Sequence, residues 1–244
     1  MTTRQPIVLA ITGASGAVYA VRLLETLLAA GRGVYVTISP SGAAVIEQEL
    51  GLRLDLDRLL PETALAESAL RDVNPKLKRL LDHPDRPVEM HDVDADRLDR
   101  GQVHYCHYQD LFSPIASGSF LTSGMVVCPC SGSTLAAIAQ GQGHNLIHRA
   151  AEVHLKERRK LVLVPRETPL SLPHIDNMRR VTEAGGVVLP ASPGFYHGVE
   201  AVADLVNFVT ARICDQLGVD NELVGRWGAE RQARAPSPPL PGDS

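Results

Sequence analysis

The residues best suited to chemistry lie in five short segments, each of which closes an apolar run. They are Gly13-Ala14-Ser15-Gly16, Ser39-Pro40-Ser41-Gly42, Pro129-Cys130-Ser131-Gly132-Ser133-Thr134, Pro165-Arg166-Glu167-Thr168 and the stretch from Pro190 to Tyr196. Four of the five contain both glycine and serine or threonine. Small hydroxyl residues in such loops let backbone N–H and side-chain O–H groups converge on an anion, and a helix that starts there adds its own field. One loop of this kind reads equally well as an ordinary N-cap and turn. Several of them at the strand ends of one sheet point to a nucleotide-like ligand.

Charged residues add two further candidates. Arg149 and Lys156 are seven positions apart, so on a helix they share a face. They either aim two cations at a phosphate or belong to a solvated face with a Glu152–Lys156 pair. Arg166 and Glu167 directly follow an apolar run. Charges there are unusual unless they meet a ligand or a neighbouring subunit, and a partly desolvated glutamate suits proton transfer; a structural ion pair is the competing reading.

Other chemistries find less support. Cys128-Pro129-Cys130 has no second cysteine pair at zinc spacing; His104, Cys106 and His107, or His144 and His148, are the remaining metal-ligating groupings, and no metal site is expected. Thr12-Gly-Ala-Ser-Gly-Ala17 falls short of the Gly-x-Gly-x-x-Gly fingerprint, and Gly-x-x-x-x-Gly-Lys is absent. None of the tyrosines at 19, 35, 105, 108 and 196 has lysine four residues on, which disfavours hydride transfer to a small carbonyl. No Gly-x-Ser-x-Gly elbow marks a serine nucleophile.

The scaffold follows from hydrophobic periodicity. Ile7–Thr12, Val34–Ile38, Gly124–Cys128, Leu161–Val164 and Val187–Leu189 read as buried strands. Helical spacing covers Ala17–Ala30, about 40–50, Ser131–Gln140, Asn145–Lys160, about 172–184 and Val199–Leu217. Strands of continuous apolar character that alternate with helices predict an α/β fold with a doubly wound parallel sheet. From Arg53 to Arg100 the pattern breaks: 9 basic and 12 acidic residues and four prolines leave no strand candidate. The expectation is one domain over 1–228, a surface insertion at about 53–104, and a disordered proline-rich tail at 229–244.

Composition narrows the class. The 244 residues are 44% hydrophobic and 21% charged, which is globular usage. A net charge of −4 argues against sequence-independent nucleic-acid binding. No apolar run approaches a membrane span, and Met1–Pro6 leads into the first strand without a signal-peptide pattern. Four cysteines at 106, 128, 130 and 214 form no disulfide framework, so a cytoplasmic location is expected.

Taken in order, the motifs resemble those of the UbiX-type flavin prenyltransferases. The matching stretches are Thr12–Ala17, Ser117-Gly-Ser-Phe120, Gly124–Leu135, Asn145–Arg159, Leu161–Leu170, His174-Ile-Asp-Asn-Met178 and Pro193-Gly-Phe-Tyr196. The resemblance spans 7–50 and 112–220. It implies a Rossmann-like (flavodoxin-like) fold, a homododecamer, and no metal. It implies transfer of a dimethylallyl group from dimethylallyl phosphate to N5 and C6 of reduced FMN, giving prenylated FMN for UbiD-type decarboxylases. By position, it assigns Gly13, Ala14, Ser15, Ser39, Ser131, Gly132, Ser133, Thr134 and Arg166 to FMN. It assigns Lys156, Tyr196 and Arg212, with Arg149 nearby, to the prenyl phosphate. Glu49 and Glu167 become the acid–base pair, with Ser15 orienting the reacting groups, and Ser117–Phe120 borders the prenyl site across a subunit interface. Gly132 stands where a larger residue is common, Glu152 where aspartate is usual, and the 53–100 stretch is longer than the family pattern. The competing readings are a flavin-dependent cysteine decarboxylase, whose loop would carry an asparagine absent from Pro129–Thr134, and a non-catalytic flavin-binding subunit.

Overall fold

The apolar runs become the strands of one parallel sheet. The computed structural model describes residues 5–58, 75–82 and 103–225. Strands β1 (Ile7–Ile11), β2 (Val34–Ile38), β3 (Val103–Tyr105), β4 (Gly124–Cys130), β5 (Leu161–Pro165) and β6 (Val187–Val188) lie in the order β3-β2-β1-β4-β5-β6. Every neighbouring pair is parallel. All residues of β1, β4 and β5 are buried, as a sheet covered on both faces requires.

Helices cover both faces. Helices α1 (Ala17–Ala29), α2 (Pro40–Leu50), α3 (Pro75–Leu81) and α7 (Val202–Leu217) pack on one face, against Ile7, Leu9, Ile11, Val126 and Val162. A short 3-10 turn at Pro114–Ala116, with α4 (Gly132–Ala139), α5 (Leu146–Lys156) and α6 (Leu172–Glu183), covers the other, against Val8, Ala10, Met125, Val127 and Leu161. The alternation of inward side chains along β1 and β4 divides the core into these two halves. The chain runs outward from β1 through β2 to β3, then restarts at β4, so the order reverses between β1 and β4. Ligands of open α/β sheets bind at this reversal, beyond the carboxyl ends of the strands.

Two elements depart from the sequence expectation. Residues 103–105 form the edge strand β3, in register with Val34–Val36, so the sheet begins inside the boundary expected for the insertion. Within that segment α3 buries Leu77 and Leu81 completely or nearly so, at 0% and 1% exposure, in the same core as α1 and α7. The described part of the insertion is therefore a plug in the main core as well as surface. The remainder of the insertion (59–74 and 83–102), Met1–Arg4 and residues 226–244, the expected tail included, lie outside the described residues. Among the described residues, no helix is long and apolar enough to cross a membrane.

Candidate active site

The site is built at the reversal between β1 and β4, where Thr12 joins two loops. Its hydroxyl donates to the Pro129 carbonyl at 2.8 Å and accepts from the Ser131 N–H at 2.8 Å. Its own N–H donates to the same carbonyl at 3.2 Å. Thr12 is 1% exposed, so these bonds form in a low-dielectric setting. The β2 loop is attached as closely. The Ser39 N–H donates to the Ile11 carbonyl at 3.0 Å, and a Cβ on Gly13 would stand only 2.6 Å from Ser41 Cβ. Glycine at 13 is what lets the first and second loops touch.

Three helices begin at these loops, and their N-termini are treated differently. Ser39 caps α2 by accepting from the Gly42 N–H at 3.0 Å, and Ser131 caps α4 by accepting from the Thr134 N–H at 3.3 Å. Each cap pairs with a second exposed hydroxyl: Ser39 with Ser41, and Ser131 with Ser133, both at 3.1 Å. Helix α1 has no such side-chain cap. Glu49, from α2, takes that role in trans: its carboxylate accepts from the Gly16 N–H at 3.0 and 3.1 Å and from the Ala17 N–H at 2.8 Å. The negative charge sits where the positive end of α1 favours it. Ser15 is exposed directly beside it, and Gly13 and Ala14 line the same turn. Beyond α4, the ring of His174 stands where a side chain at position 132 would project, 2.7 Å from a Cβ built on Gly132. The imidazole thus fills the space left by the small residue, held by the Ser171 N–H and hydroxyl at 3.3 and 3.0 Å.

Arg166 and Glu167 follow β5 and are both exposed in the single chain. The partial desolvation expected for Glu167 is not found there, nor is an Arg166–Glu167 pair; the carboxylate accepts instead from the Thr168 N–H at 3.1 Å. Among the described residues, none covers either side chain.

The residues expected at the prenyl phosphate separate into two groups. Arg149 and Lys156 stand on α5. Arg149 donates to the Ala116 carbonyl at 3.1 Å and to Glu152 at 2.8 Å, and Lys156 pairs with Glu157. Those pairs replace the Glu152–Lys156 pair that spacing suggested. The hydrogen bond from Lys156 holds the Glu157 carboxyl below the usual carboxylate range. The Ser117–Phe120 loop lies over this end of α5, fastened by Arg159, which donates to the Phe120 carbonyl at 2.7 Å and to the Gly118 carbonyl. Behind it His154, 1% exposed, bridges the Ala150 carbonyl at 2.7 Å and the Thr122 hydroxyl at 2.8 Å. Burial pushes its imidazole down to about 4, so the ring is neutral at pH 7. Tyr196 and Arg212 form the second group. Tyr196 packs edge-on against Phe208 at 5.7 Å, and Arg212 is one turn further along α7, donating to Asp215 at 3.1 Å. Helices α5 and α7 cover opposite faces of the sheet, so the two groups of cations do not meet within one subunit.

The residues weighed as metal ligands are otherwise engaged. His104 stacks on Tyr35 at 4.6 Å, His107 lies 3.4 Å from Asp57, and Cys128 and Cys130 are buried in the sheet, where desolvation raises both thiols, Cys130 to about 12. Among the described residues, no three His, Cys, Asp or Glu side chains gather as a metal site. Sequence reasoning missed Thr12, His174 and Arg159 as organisers of the site. The hydroxyl closing the apolar run 7–12 was the available signal for the first, whereas Arg159 is one of several charges in a row.

The Flavoprotein family profile matches residues 1–214. Flavin prenyltransferase UbiX of Pseudomonas aeruginosa is 40% identical over 230 residues, 94% of this chain and 97% of that protein. This chain belongs to the UbiX family of flavin prenyltransferases. Solved UbiX relatives share the architecture. AnUbiX, determined in complex with FMN and dimethylallyl pyrophosphate, is 33% identical with a TM-score of 0.71 over 92% of this chain and 97% of that one. A dodecameric FMN-dependent UbiX-like decarboxylase from Escherichia coli O157:H7 gives the same identity, 33%, and TM-score, 0.71, over 91% and 98%. Matches that span nearly the whole of each relative cover the loops of the β1–β4 reversal and both groups of cations.

Proposed function

We propose that this UbiX-family chain is a flavin prenyltransferase whose site is shared between subunits, working in the cytoplasm as a homo-oligomer, a dodecamer, and supplying prenylated FMN to a UbiD-type decarboxylase. The observation that carries the reading is the division just described. One subunit completes a hydroxyl-rich cradle at the β1–β4 reversal, yet holds its candidate phosphate cations on two opposite faces. A neighbouring copy supplies what each cradle lacks. Exposed apolar side chains are consistent with such packing: Phe112 is 100% exposed, Phe195 70%, Leu172 69% and Leu121 57%.

The donor set suits FMN. Capped helix N-termini with spare hydroxyls at Ser41 and Ser133, and the exposed guanidinium of Arg166, match a phosphate and a polar ring edge. Gly13, Ala14, Ser15, Ser39, Ser131, Gly132, Ser133, Thr134 and Arg166 would hold it, with His174 as the wall behind Gly132. When bound and reduced, FMN supplies the electron-rich N5 and C6 that the allylic carbon needs.

The chain's own residues do the rest. Lys156 and Arg149 of one subunit, with Tyr196 and Arg212 of another, grip the prenyl phosphate and neutralise the charge that grows on it as its C–O bond breaks. The subunit surfaces exclude water, which would capture the allylic cation. Glu167 donates a proton to the departing phosphate oxygen and then accepts the proton displaced from C6. Glu49 closes the N-terminus of α1 and thereby fixes Ser15 against the reacting groups. Four free cysteines, all buried, suit a reducing compartment.

Anaerobic incubation with reduced FMN and dimethylallyl phosphate, followed by mass analysis of the flavin, tests the activity. A flavin enlarged by one dimethylallyl group is the expected result. Unchanged flavin would overturn the reading.

A further inference from the structure

Each cation expected at the prenyl phosphate already holds a carboxylate from its own helix or the residue beyond it: Arg149 holds Glu152 at 2.8 Å, Arg212 holds Asp215 at 3.1 Å, and Lys156 holds Glu157. The Lys156–Glu157 pair has the most specific surroundings. A Cβ on Gly118 would stand 2.9 Å from Lys156 Nζ and 2.9 Å from Glu157 Cδ, so the Ser117–Ser119 loop lies directly against the tips of the pair. Arg159 fastens that loop through its Phe120 and Gly118 carbonyls. The loop in turn presents two exposed hydroxyls, Ser117 and Ser119, 2.8 Å apart. The assembly is a cation, a carboxylate and two hydroxyls on a fixed frame.

We infer that Glu157 is a specificity-determining residue of the phosphate subsite, holding Lys156 in place and reserving one side of its ammonium so that a prenyl monophosphate is accepted and a prenyl diphosphate disfavoured. This rests on the prenyl-transfer reading above. An ammonium has three donors, so Lys156 can keep Glu157 and still grip one phosphate. A second phosphate group must come up against the carboxylate or displace it. It brings additional negative charge toward a fixed negative charge. Glu152 and Asp215 lower the net charge of the subsite in the same way, so no cation in it stands uncompensated to receive the extra phosphate.

The test is a ratio, because a merely structural role would weaken both ligands alike. Titration calorimetry on the assembled protein measures inorganic phosphate and pyrophosphate binding in the wild type, Glu157→Gln and Glu157→Asp. Turnover is followed in parallel with dimethylallyl monophosphate and diphosphate. Glu157→Gln is expected to raise the pyrophosphate-to-phosphate affinity ratio about tenfold, the effect of removing one nearby like charge, and to move donor preference the same way. Glu157→Asp keeps the wild-type ratio. Gly118→Ala, whose Cβ would meet the tips of both Glu157 and Lys156 and disturb their pairing, is expected to move the ratio in the direction of Glu157→Gln and serves if that variant does not assemble. An unchanged or lower ratio in Glu157→Gln, or an equal shift in Glu157→Asp, would overturn the assignment. Wild-type protein that prenylates no flavin would instead end the prenyl-transfer reading, and the binding ratio would still decide the role of Glu157.

Discussion

The two halves of the proposed site are organised in opposite ways. The cradle at the β1–β4 reversal is complete within one subunit: buried Thr12 joins its loops, Glu49 closes α1, and Ser39 and Ser131 cap the neighbouring helices. The cation half is dispersed, with Arg149 and Lys156 on one face of the sheet and Tyr196 and Arg212 on the other. On the proposed reading, binding the flavin and gripping the prenyl phosphate are separable properties, the first belonging to the fold of a subunit and the second to the assembly.

The sharpest way to break that comparison is subunit mixing. Lys156→Ala and Arg212→Ala homomers are each expected to lose about 100- to 1,000-fold in kcat/KM, the usual cost of removing a group that stabilises a developing anion. FMN affinity should change by no more than about threefold, since neither residue belongs to the cradle. In random mixtures of the two, about a quarter of the sites regain both cations, because each interface draws on two protomers. A mixture as inactive as its components would put both groups in one subunit's site. Glu167→Gln comes next. It should retain FMN and lose about 100-fold or more in turnover, as loss of a positioned acid–base does; near-wild-type product formation would remove Glu167 from the mechanism.

Smaller effects probe the frames behind each half. His154 supports the cation half. Its folded imidazole is held near 4, below the 6.5 of an unfolded histidine, so the unfolded chain binds more protons between those values. Stability from this group is therefore complete above about pH 6.5 and is lost as pH falls toward 4, by about 3 kcal/mol at most. Urea midpoints at pH 7 and 5 should differ less in His154→Gln than in the wild type. Thr12→Val supports the cradle half. It leaves the Ser131 N–H unpaired, costs about 1–3 kcal/mol, and should weaken FMN more than phosphate binding, measured by flavin fluorescence titration.

Much of the fold was legible because its strands are continuous apolar runs. Ile7–Ile11 and Leu161–Pro165 are buried along their whole length and left no other reading. Strand β3 was hidden for the opposite reason: of Val103, His104 and Tyr105 only the valine is buried, and three residues show no period. Helix α3 was hidden among charges, since Leu77 and Leu81, one turn apart, are its only buried residues. In the site, the hydroxyl loops announced themselves by composition. Glu49 did not, because a carboxylate that caps a distant helix leaves no local pattern; only the family resemblance singled it out. For Arg166 and Glu167 the sequence offered a ligand, a neighbouring subunit or an internal ion pair; both are exposed in the single chain and unpaired with each other, so the internal pair is the reading that the fold does not bear out.

Helix α3 also sets a rule for anyone shortening this protein. Because Leu77 and Leu81 seat under α7, excising the whole excursion between α2 and β3 would open a void in the hydrophobic interior, at about 2–5 kcal/mol for each leucine removed. Any shortened version must therefore keep residues 75–81 seated in that core.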